Sequence, residues 1–505
     1  MMPLHALLQA PDTVPPLARP VIASVAVVYF VIVIAIGAWA ARRTKTARDF
    51  FIAGQWIGLW ALANAAMAAT LSGFIFIGGP GLMYNVGLGA LFIVLSATIT
   101  NSMTAWALAK RLRLLGEARG LVTVPDAIGA RYDSRAAQGI AAVAILIAVV
   151  GYMATNILAL GLVVDAIFAT GLVPAIWIGA LIMVAYSASG GILAGIYTDL
   201  FQGMLMAVAS LLVFVFALRT GGGLASMSET LLAADPAFIS PWGRMTPLAA
   251  ISLFFVFGLG ALGQPHVVHK FYMLKDPRRL RWYPLLMTVA LVVTLLLFFS
   301  VGLVSKVLVV RGVMPPLSVP DAATPTFLLQ HTPLLLAAIV FSGVAAAIMS
   351  TVNSFMNIGA AALTHDLPVA FGFAVRNELR WGRIWTVVIT IAAALLAQVS
   401  GTLVAFLGIF GWGLFASTFV PALAIGLNWP GATRAGAIAS MATGVATTLA
   451  LETLAWYKVF TFPAGVTATA VALVLALLVF FAVSWLTRRR AADEIAADVR
   501  LVMEM

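Results

Sequence analysis

The hydroxyl side chains of Ser350 and Thr351 lie in the stretch AIMSTVNS (347–354), inside an otherwise apolar segment. On a helix they fall three and four positions after Ala347, so the three residues share one face. Hydroxyls at this spacing often hydrogen-bond to backbone carbonyls one turn earlier. The alternative is a site for a hard cation such as sodium, because hard cations prefer oxygen ligands. Either arrangement gives these polar groups the partners they need in apolar surroundings.

Two other segments could supply further oxygen ligands, because glycine and proline interrupt them. They read ALANAAMAATLSGFIFIGGPGLMY (61–84) and FFVFGLGALGQPHVVHKF (254–271). Small residues of this kind also occur where membrane helices pack closely, and that is the simpler explanation for either segment alone. A break is the alternative, and it frees backbone carbonyls from helical hydrogen bonds. A pair of interrupted helices is typical of a transporter binding site.

The composition places these segments in a membrane. The 505 residues are 63% hydrophobic and 9% charged, with a mean hydropathy of +1.07. A water-soluble protein of this size could not cover its surface with so few polar groups. Apolar segments of about twenty residues, enough to cross about 30 Å of hydrocarbon, recur from end to end. We therefore predict an all-α polytopic membrane protein without a soluble domain. The thirteen predicted spans are 20–41, 57–84, 87–109, 136–164, 172–189, 196–218, 247–269, 282–308, 332–363, 383–400, 403–427, 433–453 and 464–487.

The charged residues indicate an orientation for these spans. With the N-terminus outside and the C-terminus in the cytoplasm, all but six of the 29 Lys and Arg fall on the cytoplasmic side. Positive residues are enriched in cytoplasmic loops. The net charge of +11 is thus interpreted as a topology signal with some attraction to anionic lipid, and not as a nucleic-acid surface. The chain has no cysteine, which excludes disulfides, thiolate metal sites and thiol catalysis.

The two interrupted spans lie five spans apart, which predicts two five-helix repeats of opposite orientation at 57–218 and 247–427. One extra helix (20–41) precedes them. Two further helices (433–487) and a cytoplasmic tail (488–505) follow. The whole chain is interpreted as a single transporter domain.

Six motifs in order resemble the sodium:solute symporter family, which includes proline permeases and sodium/glucose cotransporters. They are LSGFIFIGGPGLMY, VPDAIGARY, GGILAGIYTDLFQ, GLGALGQPH, AIMSTVNS followed by ALTHDL, and TRAGAIASMATG. The resemblance covers nearly the whole chain and is closest to the proline permeases. It implies a LeuT-type 5+5 inverted repeat with one extra helix in front and two behind.

The resemblance also implies a sodium site. By motif, its ligands are the backbone carbonyls of Ala68, Leu71 and Ala347 and the hydroxyls of Ser350 and Thr351.

A solute pocket is implied beside that site, and this sequence departs there from the proline permeases. Phe257 and Ala261 replace aromatic residues of those permeases, and Thr70 replaces an aspartate. A small amphiphile, such as an amino acid or a short organic acid, suits this pocket. Its expected lining residues are Thr70, Ser72, Tyr152, Phe257, Gln264 and Pro265.

Three other side chains each have two interpretations. Asp199 matches an acidic residue that the family places along the intracellular ion path, and it could equally cap the N-terminus of span six. His266 and His269 are spaced to bind a transition metal, but no further ligand is evident and His266 belongs to the GQPH motif.

The sequence thus predicts a sodium-coupled symporter that imports a small organic solute by alternating access. Sodium is its coupling ion, and no other cofactor is expected. The expected partners are the solute, sodium and membrane lipid, and no nucleic acid. A proton-coupled transporter and a solute sensor with a separate signalling partner remain as alternatives. An enzyme is disfavoured, because no nucleophile–base or metal constellation is evident. The family resemblance implies a bacterial inner membrane as the location.

Overall fold

The computed structural model describes residues 19–400, 404–460, 462–488 and 495–505. Within these ranges the regular secondary structure is helical, and an isolated bridge between Ile57 and Leu274 is the one strand-like contact. The start of predicted span eleven, at residue 403, and tail residues 489–494 lie outside the described residues. The α-helices are α1 (Arg19–Ala41), α2 (Ala47–Ile52), α3 (Leu59–Thr70), α4 (Gly79–Val86), α5 (Leu91–Thr104), α6 (Lys110–Arg119), α7 (Val124–Tyr132), α8 (Arg135–Phe168), α9 (Leu172–Gly221), α10 (Gly223–Ala234), α11 (Pro247–Gly260), α12 (Pro265–Val268), α13 (Tyr283–Val310), α14 (Ala323–His331), α15 (Leu334–Ala361), α16 (Leu367–Phe371), α17 (Glu378–Ser400), α18 (Val404–Phe419), α19 (Arg434–Trp456), α20 (Ala468–Thr487) and α21 (Ala497–Glu504).

In the described residues, eleven helical segments are long and apolar enough to cross a membrane. Two shorter apolar helices, Leu59–Thr70 and Leu172–Ala188, fall on predicted spans two and five. The prediction of an all-α polytopic membrane protein is therefore confirmed. The count of thirteen spans stays a prediction, because some neighbouring spans run on as one helical segment, such as Phe74–Arg119.

Helix α9 joins predicted spans five and six without an intervening loop. Its continuity is interrupted at Gly191, where φ is +56° and ψ is −146°. A Cβ at this position would lie 2.5 Å from a ring carbon of Phe50, so both the backbone conformation and the space require glycine. Spans five and six are thus two helical segments that meet at Gly191, where one non-helical residue takes the place of a loop.

Helices α8 and α15 form the centre of the bundle. In their most apolar windows 78% and 83% of the residues are buried, against 28% for the peripheral α1. The peripheral helix exposes apolar side chains such as Val28 and Val31, as expected for a surface that faces lipid. The polar residues of α15 therefore lie inside the protein and not against the hydrocarbon.

Helix α21, at the C-terminal end, packs on α6. Arg119 and Asp498 form a bidentate ion pair at 2.6 and 2.7 Å, and Val499 and Val502 are buried. The described part of the predicted tail is thus a docked helix.

Candidate functional site

Helix α3 stops at Leu71, whose backbone is extended (φ −88°, ψ 90°). The chain becomes helical again at Gly73, just before a π-helical turn at Phe74–Gly78. The Gly73 amide donates to Oδ1 of Asn156 on α8 at 2.9 Å, so a side chain satisfies an N–H next to the break. The last carbonyls of a helix have no helical N–H partners. The predicted break in span two is confirmed, and it leaves carbonyl oxygens facing the bundle centre.

The second predicted break is also present. Helix α11 ends at Gly260, a 3-10 turn follows, and Gln264 is extended (φ −80°, ψ 101°) before Pro265 starts α12. Proline suits the first turn of a helix because it lacks the N–H that would be unpaired there. Gln264 and Pro265 thus lie at the break in span seven.

The hydroxyls of α15 reach the carbonyls at the end of α3. Ser350 Oγ donates to the carbonyl oxygen of Ala68 at 2.8 Å, and Thr351 Oγ1 donates to that of Ala69 at 3.1 Å. The carbonyl oxygen of Ala347, one turn earlier, lies 2.9 and 3.1 Å from the same two hydroxyls. Each hydroxyl therefore has one carbonyl acceptor within its own helix and one on α3, and its single proton can be donated to either.

These contacts bring together four of the five predicted sodium ligands, Ala68, Ala347, Ser350 and Thr351, and all four are fully buried. Leu71 forms the break itself, and among the described hydrogen bonds its carbonyl joins neither hydroxyl. A hydroxyl that donates to a carbonyl keeps lone pairs that a cation can use. The cluster is neutral and rich in oxygen, which is chemistry suited to a monovalent hard cation.

A narrow apolar pocket adjoins this cluster. Thr70, Tyr152, Phe257 and Trp412 are among its lining residues, and its free volume is 20 Å³, enough for about one water molecule. The Oγ atom of Ser72 lies 3.3 Å from the phenol oxygen of Tyr152. The pocket is therefore contracted, and a solute the size of an amino acid requires its walls to move apart.

An aromatic stack forms one wall of this pocket. Phe257 stacks on Phe74, with ring centroids 5.5 Å apart, and on Trp412, at 5.2 Å. Phe257 was a predicted pocket residue, whereas Trp412 was missed. The available signal for Trp412 was a single indole in an apolar segment, which also fits an ordinary core residue.

Two buried polar atoms near the stack have no hydrogen-bond partner. Gln264 donates its amide to the carbonyl oxygens of Gly260 and Trp412 at 2.9 and 3.2 Å. Its Oε1 atom and Nε1 of Trp412 remain unpaired. Burying such groups without a partner costs free energy, and binding of a polar ligand would explain why they are kept. They supply one acceptor and one donor for a polar ligand.

Asp199 and Lys270 form an ion pair inside the bundle. Nζ of Lys270 lies 3.0 Å from Oδ2 of Asp199, and neither side chain is exposed. Asp199 is in the interior of α9, so the expectation that it caps a helix is wrong, because α9 runs through this position without starting there. Lys270 was not predicted as a site residue, since nothing local indicates a partner 71 residues away.

His266 and His269 do not form a metal pair. His269 Nε2 lies 2.8 Å from the carbonyl oxygen of Val122, and the His266 ring packs against Phe355, with centroids 4.4 Å apart. Within the described residues, the cluster of His, Asp and Glu that could hold a metal lies elsewhere, at Asp126, His365 and Asp366.

That cluster joins α7 to the end of α15. Nε2 of His365 lies 3.1 Å from both carboxylate oxygens of Asp126, and the Thr123 hydroxyl donates to Asp366. Burial alone would raise the pKa of Asp126, but the hydrogen bond and charge of His365 hold it below its usual value. These contacts hold α7 against the turn that follows α15. Most of the polar atoms in this cluster thereby have a hydrogen-bond partner.

Broken helices that face a central helix around a small pocket define a membrane transporter of LeuT-type fold. A solved structure of a Na⁺-coupled sialic acid symporter in a substrate-bound, outward-open state matches 92% of this chain and 98% of its own, with a TM-score of 0.75 and 18% identity. That likeness shows the fold.

The chain belongs to the sodium:solute symporter family, whose model matches residues 50–444. It is 28% identical over 473 residues to the osmoregulated proline transporter OpuE of Bacillus subtilis, covering 92% of this chain and 94% of that protein. It is 27% identical over 438 residues to the sodium/pantothenate symporter of Escherichia coli, covering 85% and 90%. The resemblance inferred from the motifs is confirmed.

Proposed function

We propose that this protein is a sodium-coupled symporter that carries a small organic solute by alternating access. The solute is an amino acid such as proline, or a short organic acid. The protein lies in a bacterial inner membrane with its N-terminus outside and its C-terminus in the cytoplasm. We further propose that it is not an enzyme, since the named relatives are transporters.

One observation carries the proposal: the two hydroxyls of α15 meet the carbonyls at the end of α3, at 2.8 and 3.1 Å. A sodium ion held by Ser350, Thr351 and the carbonyls of Ala68, Leu71 and Ala347 would tie the broken helix to the central one. Because the site is neutral, the ion alone brings charge, and so its occupancy depends on the membrane potential.

In the proposed cycle, sodium assembles the cage and thereby fixes the end of α3 beside the pocket. The solute binds between the aromatic stack and the Ser72–Tyr152 pair, with Gln264 and Trp412 available to its polar group. Movement of α3 away from α15 then breaks the cage, and both ligands leave on the other side. Coupling follows because each ligand needs the same position of α3.

The proposed class of solute is inferred from the chemistry of the residues around the pocket. Its lining is mostly apolar, with a few hydroxyls and Trp412, whose Nε1 atom is unpaired. Gln264, with its unpaired Oε1 atom, donates to the carbonyl oxygen of Trp412 beside this lining. Proline and pantothenate, named for the relatives, both combine a carboxylate with a compact apolar part. None of the described residues that line the pocket is basic, so the carboxylate of such a solute would depend on N–H and O–H donors and on the nearby sodium.

Proton coupling is a second candidate, favoured by the Asp199–Lys270 pair. A carboxylate and an ammonium fully buried together form a site where one proton could be gained or lost. Transport would then continue when choline replaces sodium.

The test is thermal unfolding of the detergent-purified protein in sodium or choline, with L-proline, pantothenate and short carboxylates as added solutes. We expect sodium to stabilise the wild type, by about 2.7 kcal/mol at a hundredfold excess over its Kd. Thr351→Ala should lose this effect and Thr351→Ser should keep it. One solute class should add stability in sodium and none in choline.

The matched control is Thr390→Ala. Thr390 is also a buried membrane threonine, but it donates within its own helix, to the carbonyl oxygen of Thr386 at 2.7 Å. It should keep the full sodium response. If sodium leaves the wild type unchanged, the proposed site is wrong and proton coupling takes its place.

A further inference from the structure

A basic and aromatic groove lies between the start of α3 and the start of α13, apart from the solute site. Its volume is 640 Å³, within the size range of ligand pockets. Arg278, Arg279 and Arg281 line it together with Trp60, Trp282 and leucines of both helices. All three arginines come from one 3-10 turn, Pro277–Trp282.

The charge of this groove is largely uncompensated. Among the described residues, Asp276 is the one carboxylate within ion-pair distance of the three arginines, and it is 4.0 Å from Arg279. The Arg281 guanidinium lies over the Trp282 ring, 5.7 Å from its centroid. Guanidinium groups bind phosphate oxygens in a bidentate manner, so the groove is built to attract a phosphate-bearing anion.

The apolar part of the groove continues along α13. Trp282, Leu285, Val289 and Val292 recur at helical spacing on one face, and between 50% and 56% of each side chain is exposed. Trp60, on the other wall, is 74% exposed. Tryptophan is enriched at membrane–water interfaces, and apolar side chains beyond it face acyl chains. A soluble anion would use the arginines and leave this stripe without a partner.

We propose that the groove binds an anionic phospholipid. Its phosphodiester headgroup lies on the guanidinium groups of Arg278, Arg279 and Arg281. Its acyl chains follow Trp60 and the α13 stripe. The lipid joins the first residues of α3 to the turn before α13, and it thereby resists separation of these two segments. This inference concerns residues outside the sodium cage and stands whether or not sodium is the coupling ion.

The experiment measures thermal unfolding of the full chain in detergent against added phosphatidylglycerol. Phosphatidylcholine with the same acyl chains and soluble glycerol 3-phosphate serve as separate arms. The expected result is saturable stabilisation by phosphatidylglycerol alone. The triple variant Arg278→Gln, Arg279→Gln, Arg281→Gln should need roughly a hundredfold more lipid, since each basic residue near the headgroup contributes about 1 kcal/mol.

The matched control removes the same charge elsewhere, with Arg135→Gln, Arg376→Gln and Arg380→Gln, all exposed in the folded chain. It should respond like the wild type. The proposal is overturned if both triple variants lose affinity equally, or if phosphatidylcholine stabilises as well. Stabilisation by glycerol 3-phosphate to the same extent would identify a soluble-anion site and also overturn it.

A second measurement avoids the triple variant in case it does not fold. Phosphatidylglycerol with brominated acyl chains should quench tryptophan fluorescence more in the wild type than in the Trp60→Phe, Trp282→Phe variant. Brominated phosphatidylcholine should show a smaller difference between the two proteins. Equal differences with both lipids would contradict a headgroup-specific site.

Discussion

Within the described bundle, Asp199 and Lys270 form an ion pair whose two side chains are both inaccessible to water. Taking two charges out of water costs free energy that their attraction offsets only while both are present. The second carboxylate oxygen of Asp199 has no partner, so the pair is incompletely satisfied. Removing either partner leaves one charge alone in the interior.

We therefore expect Lys270→Met to destabilise the protein by about 3–5 kcal/mol. The double variant Asp199→Asn, Lys270→Met should recover most of that loss, because no charge remains buried. Unfolding of the wild type, both single variants and the double variant gives the coupling energy. Additive effects would show that the two side chains act independently, contrary to their 3.0 Å contact.

Substitution of Trp412 should affect the stability of the empty protein and the affinity for solute differently. Its Nε1–H is buried without a partner, while its ring stacks on Phe257. Trp412→Phe keeps an aromatic ring and removes the unpaired donor, whose burial costs about 1–3 kcal/mol. The empty protein should therefore be at least as stable as the wild type, although the smaller ring offsets part of the gain.

Solute affinity should nevertheless fall about tenfold in Trp412→Phe, because a donor to the solute is worth about 1.4 kcal/mol in a buried site. Calorimetric titration with the solute class found by thermal unfolding measures this. Unchanged affinity would mean that Nε1 faces no solute group.

Local sequence drew attention to Ser350 and Thr351 because two hydroxyls in an apolar helix need partners, and the family resemblance then predicted them as sodium ligands. Lys270 and Trp412 were missed for a physical reason, since their significance lies in contacts across 71 and 148 residues of chain. A lysine just past a predicted span is indistinguishable from an ordinary loop charge, and a tryptophan in an apolar segment from a core residue.

Among the elements, the two broken helices were predictable, because the glycine and proline residues at each break are visible in the local sequence. The short connection between spans five and six was not, because a single non-helical residue, Gly191, takes the place of the loop expected there. Periodicity locates apolar segments and gives no information on whether two of them join as one helix.

The turn Pro320–Ala322 and helix α14 pack over the second half of span two, and we refer to this segment as the lid. The Thr324 hydroxyl donates to the carbonyl oxygen of Phe76 at 2.9 Å, and Oδ2 of Asp321 accepts the amide of Val404, at the start of α18, at 2.9 Å. Burial raises the pKa of Asp321 to about 6, although the Val404 amide opposes this shift. The lid is thus fastened to α18 through a titratable group.

Acid should therefore favour the closed lid. An exposed aspartate titrates near pH 4, so the closed form binds its proton more tightly than an open form does. The stabilisation is complete below about pH 4 and is lost as the pH rises through about 6. Asp321→Asn should abolish this dependence and stay closed, since an amide oxygen still accepts the Val404 N–H.

Single-cysteine labelling can measure the lid, since the chain has no cysteine of its own. Ala97→Cys places a thiol in the pocket lining, and Ser318→Cys provides an exposed reference. A hydrophilic maleimide labels both thiols. The labelling rate at Ala97→Cys divided by that at Ser318→Cys should fall from pH 7 to pH 5. A ratio that is constant with pH, or that changes equally in Asp321→Asn, would show that Asp321 does not control the lid.

For the whole molecule, fold class follows from composition because lipid permits few backbone solutions, and an apolar chain of this length has to be helical. The repeat boundaries and the orientation of the termini stay predictions, since helix length and burial are the same for either orientation. The proposed cage is neutral and has ligands for one sodium, so we expect one sodium to be carried in each transport cycle.

That number fixes the expected energetics. One sodium entering down a potential of 100 mV releases about 2.3 kcal/mol, and a tenfold sodium gradient adds about 1.4 kcal/mol. Together they support accumulation of a neutral solute by roughly 500-fold.

In proteoliposomes with a potassium–valinomycin potential, accumulation should change about tenfold for each 59 mV and in direct proportion to the sodium ratio. A dependence on the square of the sodium ratio would mean that a second ion is carried outside this cage. Accumulation that follows the potential but not sodium would assign the coupled charge to a proton.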